Sequence, residues 1–450
     1  MFKTDDIVKI MNFISEKNFS DLKGILKDMN IVHISDLIEE LPTVEALIVF
    51  RLLSKDIAVD VFYYLDKDYQ QKIIEKITDE ETQYLLKESH FDDMVDLIEE
   101  MPAAVVKKVI KNTDENRRNM INKFLNYPDF SAGSIMTLEY VSLKEGMTVE
   151  HSIEHIKKVA KDVETIYTAY VLNSYRKLVG IISLRNLLIA DEKEFVKNIM
   201  TETDIISCKT LDDQEDIARK FRKYDLNTIP VVDNEGLMTG VITVDDIIDV
   251  IEEENTEDFE KMAAIEPLND DYLNTKTFTL ARKRITWLII LMVSASLTEL
   301  VIGRSKEVLE SVAILASFIP MLMDTGGNSG SQASTLIIRG LALDEIKFQD
   351  IFKVIFKEFK VSLIVASALS FLNFLRIYFI SGVDIRIAFL VGITLFLTVV
   401  ISKIIGAILP MFAQKLKLDP AIMAAPLITT IVDTTALLVY FGFAKLILNI

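Results

Sequence analysis

The apolar run at residues 421–448 contains one acidic residue, Asp433, and it constrains the fold more than any other stretch. A helix rises 1.5 Å per residue, so this run spans roughly 42 Å and can cross a ~30 Å hydrocarbon core with some tilt. Asp433 then lies near the middle of the bilayer, where a bare carboxylate costs ~2.5 kcal/mol or more. Either the carboxyl group is protonated or hydrogen-bonded and holds helices together, or it is a cation site in a pore. The sequence favours the cation site.

The two parts of the chain differ in charge. Residues 1–275 hold 56 acidic and 32 basic side chains, whereas residues 276–450 hold 11 acidic and 17 basic ones. An acidic soluble region therefore precedes a membrane region, and we expect it to concentrate cations and not to bind nucleic acid. The single cysteine, Cys208, is typical of a reducing cytoplasm. The polar N-terminus lacks an apolar signal core, so we expect later segments to insert the membrane part.

Residues 1–130 show the three- and four-residue spacing of Leu, Ile and Val that is typical of amphipathic helices. The motif DLIEELP at 36–42 recurs as DLIEEMP at 96–102, a period of 60 residues. This repeat predicts an all-α N-domain of stacked helical hairpins with superhelical packing. We find no catalytic constellation in this region and no feature of the chain that favours an enzyme.

A second repeat marks residues 131–250. The segment SIMTLEYVSL at 134–143 is echoed by NIMTETDIIS at 198–207, 64 residues later, and each copy continues into a helix, two strands and a short helix. Alternating strands and helices predict α/β units. The region resembles a tandem CBS-domain pair, a module that usually senses a ligand.

The CBS resemblance implies a nucleotide contact at Thr243 and Asp246, because the last position of the signature G-x-[IV]-[ST]-x-x-[DN] often holds a ribose. Asn186 occupies that position in the first copy, which weakens the case for ATP. A structural turn is the alternative interpretation.

The rest of the chain predicts a charged connecting helix with a linker at 251–275 and an α-helical membrane domain at 276–450. We predict five transmembrane helices, at 285–303, 312–338, 361–380, 385–412 and 421–448. Basic residues concentrate before the first span and in the loops after the second and fourth. The positive-inside rule then places the N-terminal domains in the cytoplasm and the C-terminus outside.

The second span is interrupted by DTGGNSGSQAST, residues 324–335, which cannot face lipid. We predict that Gly326, Gly327 and Gly330 allow close helix packing, and that Asn328 and Gln332 line the pore.

In the fifth span Thr429 precedes Asp433 by one helical turn, so its oxygens share a face with the carboxylate. Such a set suits hydrated Mg²⁺, which gives up its waters reluctantly. Softer metals are less suited, because the membrane region has no Cys or His.

Glu299 lies near a predicted helix end and is interpreted as interfacial. Asp324 either adds charge to the pore mouth or caps a helix.

Acidic residues of the soluble part recur at helical spacing, in the sets Asp92 and Asp96, Asp246 and Asp249, and Glu254, Glu257 and Asp258. Like charges so spaced repel unless they are solvated or bridged by a cation. A solvated face explains any one set. Several sets in one module favour bridging by divalent cations, which would lock the module when cations are abundant.

Across its whole length the chain resembles the MgtE family of magnesium channels and transporters. The matching stretches are DDMVDLIEEMP, EDFEKMAAIEPLNDDYLNT, ARKRITWL, IPMLMDTGGNSGSQASTLIIRG and DPAIMAAPLITTIVDTTALL. The resemblance implies a homodimer in the lipid bilayer with one pore on its two-fold axis, hydrated Mg²⁺ at Asp433, and a plug helix at about 251–266. It also implies regulatory Mg²⁺ at Asp60, Asp92, Asp96, Asp213, Glu215, Asp225, Asp246, Asp249, Glu254, Glu257 and Asp258.

We therefore expect a magnesium-selective channel for passive uptake across the cytoplasmic membrane, closed by cytoplasmic Mg²⁺ on these carboxylates. A dication gains roughly 4.6 kcal/mol from 100 mV, so uptake needs no energy coupling. The absence of a GxxxxGK[ST] loop argues against a primary ATPase. The alternatives are a Mg²⁺ carrier coupled to Na⁺ or H⁺, and a nucleotide-sensing membrane scaffold.

Overall fold

The computed structural model describes residues 4–268, 272–273, 275–423 and 425–448. It divides into two compact units, Met1–Ile251 and Glu252–Ile450. Part of the predicted linker, residues 269–271 and 274, and residue 424 of the fifth predicted span lie outside the described residues.

The N-domain consists of short helices, as the spacing predicted. Their bounds are α1 Thr4–Ser15, α2 Phe19–Lys27, α3 Ile31–Glu40, α4 Thr43–Leu52, α5 Lys55–Tyr63, α6 Lys67–Lys76, α7 Asp79–Glu88, α8 Phe91–Glu100, α9 Ala103–Asn112 and α10 Glu115–Phe124. The repeated motif explains two boundaries. Pro42 and Pro102 disfavour helix at the residue before them, so α3 and α8 end and each proline becomes the N-cap of the next helix. Side chains such as Leu22, Ile34 and Phe62 form the buried core.

The second repeat folds into two similar α/β units, which confirms the CBS pair. The elements are β1 Tyr140–Lys144, α11 Val149–Val159, β2 Thr165–Leu172, β3 Leu178–Ser183, α12 Leu184–Ile189, α13 Val196–Ile199, β4 Cys208–Lys209, α14 Gln214–Tyr224, β5 Thr228–Val232, β6 Met238–Thr243 and α15 Val244–Met262. Each unit has a three-stranded sheet with a parallel pair followed by an antiparallel pair, in the orders β1-β2-β3 and β4-β5-β6.

Corresponding glycines of the signature occupy the same register in the two sheets. Gly180 pairs with Val171, and Gly240 pairs with Val231. A Cβ at Gly240 would lie 2.6 Å from the Thr137 carbonyl oxygen, so close backbone approach requires glycine there. One helix, α15, crosses the predicted boundary at 250/251 and runs without a break from Val244 to Met262, while the two compact units divide after Ile251.

The C-terminal region is helical. Its helices are α16 Thr277–Arg304, α17 Lys306–Ser311, α18 Ile319–Ala342, α19 Ile351–Leu375, α20 Ile385–Lys415 and α21 Ala425–Leu448. Four stretches of the described residues are long and apolar enough to cross a membrane: Thr277–Arg304, Phe348–Ile380, Ile385–Lys415 and Pro420–Leu448. These match the first, third, fourth and fifth predicted spans.

The second predicted span, 312–338, differs from the prediction in two ways. A 3₁₀ helix occupies Ala313–Phe318, and α18 then starts at Ile319. The polar stretch 324–335 does not interrupt the helix, because its small residues are compatible with helical backbone. The same stretch makes α18 too polar to be among the four apolar spans. One face of the stretch, with Gly326, Gly327 and Gly330, is buried by packing against α20 and α21.

Candidate cation sites

Asp433 borders a cavity of about 320 Å³ between α16 and α21. The cavity is lined by Ala295, Thr298, Glu299, Ile302, Met323, Thr430 and Asp433. The hydroxyl oxygens of Thr298 and Thr434 lie 3.3 Å apart and link the two helices beside it. Among the described residues the Asp433 carboxylate has no hydrogen-bond or ion-pair partner, so no helix-joining hydrogen bond accounts for its position. A half-buried carboxylate facing a cavity is able to bind a cation through water.

Glu299 is the second carboxylate of this cavity, and the sequence interpretation missed it. Its position near the end of α16 suggested an interfacial side chain, but it lines the same cavity as Asp433. The signal available in the sequence was the adjacent pair Thr298 and Glu299, two polar residues within an apolar helix.

The fifth span presents a different threonine from the one predicted. Thr430 lines the cavity, whereas the Thr429 methyl group faces α18, where a Cβ at Gly327 would lie 2.8 Å from it. Both hydroxyls donate to the Pro426 carbonyl oxygen, at 2.9 Å from Thr429 and 3.1 Å from Thr430. The pore-lining role of Thr429 stays a prediction.

The polar stretch of α18 has a packed face and an exposed face. On the packed face, a Cβ added at Gly326 would lie 2.7 Å from the Thr398 methyl group. A Cβ added at Gly330 would lie 2.8 Å from an Ile428 methyl group. Gly406 of α20 was not singled out from the sequence, yet a Cβ there would collide with the Gly330 carbonyl oxygen. The exposed face carries Asp324, Asn328 and Gln332, one helical turn apart.

In the first unit, α8 and α15 contribute carboxylates that interact with each other. Burial raises the pKa of Asp92 well above its usual range, and the charges of Asp93 and Asp246 raise it further. The Asp92 Oδ1 atom is buried without a hydrogen-bond partner among the described residues. Burial also raises the pKa of Asp246 to about 6, although its Oδ2 atom accepts a 2.6 Å hydrogen bond from the Thr243 hydroxyl. Burial and mutual repulsion thus disfavour the ionised forms of both carboxyl groups, and a divalent cation bound there would offset that cost.

A histidine cluster next to this pair was not predicted. His90 Nδ1 lies 2.7 Å from Glu139 Oε2 and 3.0 Å from Glu164 Oε2, and Arg117 Nη2 lies 3.6 Å from Glu139 Oε1. The hydrogen bond to Glu139, followed by that to Glu164, raises the pKa of His90 to about 11, so this ring is a cation at neutral pH. Within the described part of the chain, His90, Glu139 and Glu164 also form a group whose ligand atoms lie within 4.8 Å of one another. The residues are far apart in sequence, so only tertiary structure reveals the cluster.

The remaining predicted regulatory residues are dispersed. Burial raises the pKa of Asp60, and the nearby charge of His90 partly opposes this. Asp213 caps α14 by accepting from the Glu215 amide at 2.9 Å, and Glu215 pairs with Arg219 at 3.5 Å. Asp225 ends α14 in a left-handed conformation. Asp213, Glu215 and Asp225 thus have local structural roles, and Mg²⁺ binding by all four residues stays a prediction.

Asp96 and Asp249 are exposed residues of α8 and α15, and Glu254 and Asp258 are partly buried residues of α15. Glu257, also on α15, pairs with Lys261, with 2.6 Å between Oε1 and Nζ. The α15 carboxylates after residue 251 belong to the second unit, so the predicted regulatory set is divided between the two units.

Known proteins match the chain in every region. A family model described as a divalent cation transporter matches residues 319–443, an MgtE intracellular N domain matches 29–129, and CBS domains match 132–193 and 196–253. The magnesium transporter MgtE of Thermus thermophilus is 34% identical over 445 residues, which cover 98% of each chain. The magnesium transporter MgtE of Bacillus subtilis is 32% identical over 438 residues, covering 97% of this chain and 96% of that one.

Two solved structures resemble the soluble part. One is the soluble part of a magnesium transporter, with a TM-score of 0.52 and 28% identity, covering 56% of this chain and 98% of that one. The other is the cytosolic domain of the Mg²⁺ channel MgtE in complex with ATP, with a TM-score of 0.51 and 31% identity, covering 54% of this chain and 99% of that one.

Proposed function

This chain belongs to the MgtE family of divalent cation transporters, and from that premise we propose that it is a magnesium-selective channel for passive uptake. The observation that carries the proposal is the position of Asp433. This residue of the apolar helix α21 faces a cavity, and its carboxylate has no hydrogen-bond or ion-pair partner among the described residues. Its carboxylate attracts hydrated Mg²⁺ without stripping the water shell. A membrane potential of 100 mV supplies roughly 4.6 kcal/mol per dication, which suffices for inward flux.

In the proposed assembly two copies form a homodimer with the pore on the two-fold axis. The exposed face of α18 supports this arrangement, because Asp324, Asn328 and Gln332 are costly to expose to lipid and need water or a partner. In this proposal the C-terminus lies outside the cell. The matched intracellular N domain is the cytoplasmic end of the protein.

We propose that cytoplasmic Mg²⁺ closes the channel through the predicted carboxylates. The carboxyl groups of Asp92 and Asp246 support this, since a dication bound there would offset both the cost of burying their charges and the repulsion between them. When Mg²⁺ is scarce, these groups repel and favour separation of the elements that carry them. The end of α15 is the proposed plug, and its movement opens the pore.

ATP is a proposed second ligand of the CBS pair, by likeness to the relative solved with ATP. Thr243 and Asp246 are the proposed contacts. In this structure the Thr243 hydroxyl donates to Asp246, so ATP must compete with that hydrogen bond.

The test is Mg²⁺ uptake into proteoliposomes at an imposed inside-negative potential. Asp433→Ala should reduce the uptake rate more than tenfold, because the only carboxylate of α21 is removed. Glu310→Gln is the control, since this side chain is 66% exposed and its ion-pair partner is Lys306 at 3.5 Å. Uptake by Asp433→Ala at the control rate would refute the assignment, and dependence on a Na⁺ or H⁺ gradient would favour the coupled carrier.

A further inference from the structure

An ion-pair cluster anchors the end of α15 to the segment that precedes α21. Lys261 Nζ lies 2.6 Å from Glu257 Oε1 and 2.7 Å from Asp419 Oδ2. These are the distances of charge-assisted hydrogen bonds, and the Lys261 side chain is only 22% exposed. Lys261 therefore joins a carboxylate of its own helix to a carboxylate that lies 158 residues further along the chain.

Asp419 is held from both sides. Its Oδ1 atom accepts a 2.8 Å hydrogen bond from the Ala421 amide and so caps the 3₁₀ helix Pro420–Met423, while Oδ2 is bound to Lys261. The Met423 carbonyl oxygen at the other end of that short helix accepts a 3.0 Å hydrogen bond from Ser334 of α18. A continuous series of polar contacts thus connects Lys261 to α18, which packs against α21.

Apolar and backbone contacts support the same anchor. Met262 packs against Ile338 and Ala421. After α15, the Glu266 amide donates to the Lys283 carbonyl oxygen at 3.1 Å, and Lys283 Nζ donates to the Pro267 carbonyl oxygen at 2.6 Å. The end of α15 is therefore fixed against several parts of the unit Glu252–Ile450.

The charge on Lys261 is permanent at cytoplasmic pH. A lysine side chain is ordinarily a cation at this pH, and Lys261 has a carboxylate partner on each side, Glu257 and Asp419. Unlike a bound Mg²⁺ ion, this cation does not dissociate when the cytoplasmic Mg²⁺ concentration falls.

We propose that Lys261 is a tethered cation that holds the end of α15 at the segment before α21 and stabilises the closed gate independently of Mg²⁺. The proposal rests on the proposed function, in which this part of α15 is the plug. The ammonium group lies between Glu257 and Asp419, where a divalent ion would otherwise have to bridge two carboxylates. Lys261 is thus a positioning residue of the gate, and closure requires less Mg²⁺ than the carboxylates alone would need.

Single-channel recording of the full chain at increasing cytoplasmic Mg²⁺ tests the gating part. Lys261→Met keeps most of the apolar stem but removes the charge, and it should raise the Mg²⁺ concentration for half-closure about five- to tenfold at unchanged conductance. Lys261→Arg should restore the midpoint to within about twofold. Asp419→Asn should reproduce the Lys261→Met shift, because its amide oxygen still caps the 3₁₀ helix while the ion pair is lost.

Two outcomes of these recordings would overturn the proposal. One is a Lys261→Met midpoint equal to that of wild type, and the other is full additivity of the Lys261→Met and Asp419→Asn shifts in the double variant. Lys306→Met is the matched control. Its partner is Glu310 at 3.5 Å and both side chains are exposed, so its midpoint should not move.

A disulfide cross-linking measurement tests the anchoring role of Lys261 separately from the proposed transport function. Met262→Cys with Ala421→Cys in a Cys208→Ala background places two thiols at the observed apolar contact. In Mg²⁺-free buffer, adding Lys261→Met should slow cross-link formation at least fivefold. Equal cross-linking rates with and without Lys261→Met would overturn the anchoring role of Lys261. Absence of Mg²⁺ current in the wild-type chain would overturn the proposed function but would not affect the cross-linking result.

Discussion

Neutralising Asp92 should stabilise the soluble region in the absence of Mg²⁺ and weaken its response to Mg²⁺. The Asp92 carboxylate is buried, has an unpartnered Oδ1 atom, and interacts unfavourably with Asp93 and Asp246. Because the pKa of Asp92 is raised in the folded state, at pH 7 the group must either ionise while buried or take up a proton. Both cost free energy that an amide avoids, and an amide without partners costs about 1–3 kcal/mol. Asp92→Asn should therefore add about 1–2 kcal/mol to the free energy of unfolding.

The assay is thermal unfolding of residues 1–262 followed by circular dichroism. At ~2–4 °C per kcal/mol for a region of this size, the variant should melt roughly 2–8 °C above wild type in Mg²⁺-free buffer. Adding Mg²⁺ at about 100 times its Kd should stabilise wild type by ~2.7 kcal/mol per site, and the variant by less than half as much. Glu154→Gln, an exposed residue of α11, should change neither value.

Two results would refute this reasoning. If Asp92→Asn melts below wild type without Mg²⁺, the Asp92 carboxyl group stabilises the folded region through a favourable interaction and does not destabilise it. If the Mg²⁺-induced increase in melting temperature is the same in both proteins, Asp92 takes no part in cation binding.

The raised pKa values of Asp93, about 7, and of Asp246, about 6, also predict a pH effect. Their folded-state pKa values exceed the unfolded ones, so without Mg²⁺ the stability of the region should fall as pH rises from about 4 to 7, as melting temperatures would show. Saturating Mg²⁺ should remove this slope, and a slope that persists unchanged would contradict the prediction. In the membrane region, Gly406→Ala should destabilise the full chain by about 1–3 kcal/mol because its Cβ meets the Gly330 carbonyl. Gly442→Ala should be neutral in the same melting assay in detergent, since nothing lies within 4 Å of that Cβ.

Elements with strong local signals were predictable from the sequence. The three- and four-residue spacing gives the helices of the N-domain, the 64-residue repeat gives the two α/β units, and long apolar runs give four membrane spans. The polar stretch of α18 was predicted to lie in the second span with its glycines at close helix contacts, and it is helical with those glycines packed against α20 and α21.

The sites were predictable only where one residue carries the signal. Asp433 stands out as a charge in an apolar run, but Glu299 joins its cavity only through the packing of α16 on α21. The His90 cluster and the Lys261–Asp419 pair depend on residues 49 to 158 positions apart, and no local pattern marks such contacts. Thr429 and Thr430 are adjacent, so the choice between them depends on the exact rotation of α21.

Anomalous scattering from crystals of the full chain soaked in Mn²⁺ tests the central claim most directly, because Mn²⁺ takes the same oxygen ligands as Mg²⁺. A peak on the two-fold axis of a dimer, within one water layer of the Asp433 carboxylate and lost in Asp433→Ala, is the predicted result. A wild-type map with Mn²⁺ at the soluble carboxylates but none near Asp433 would contradict it.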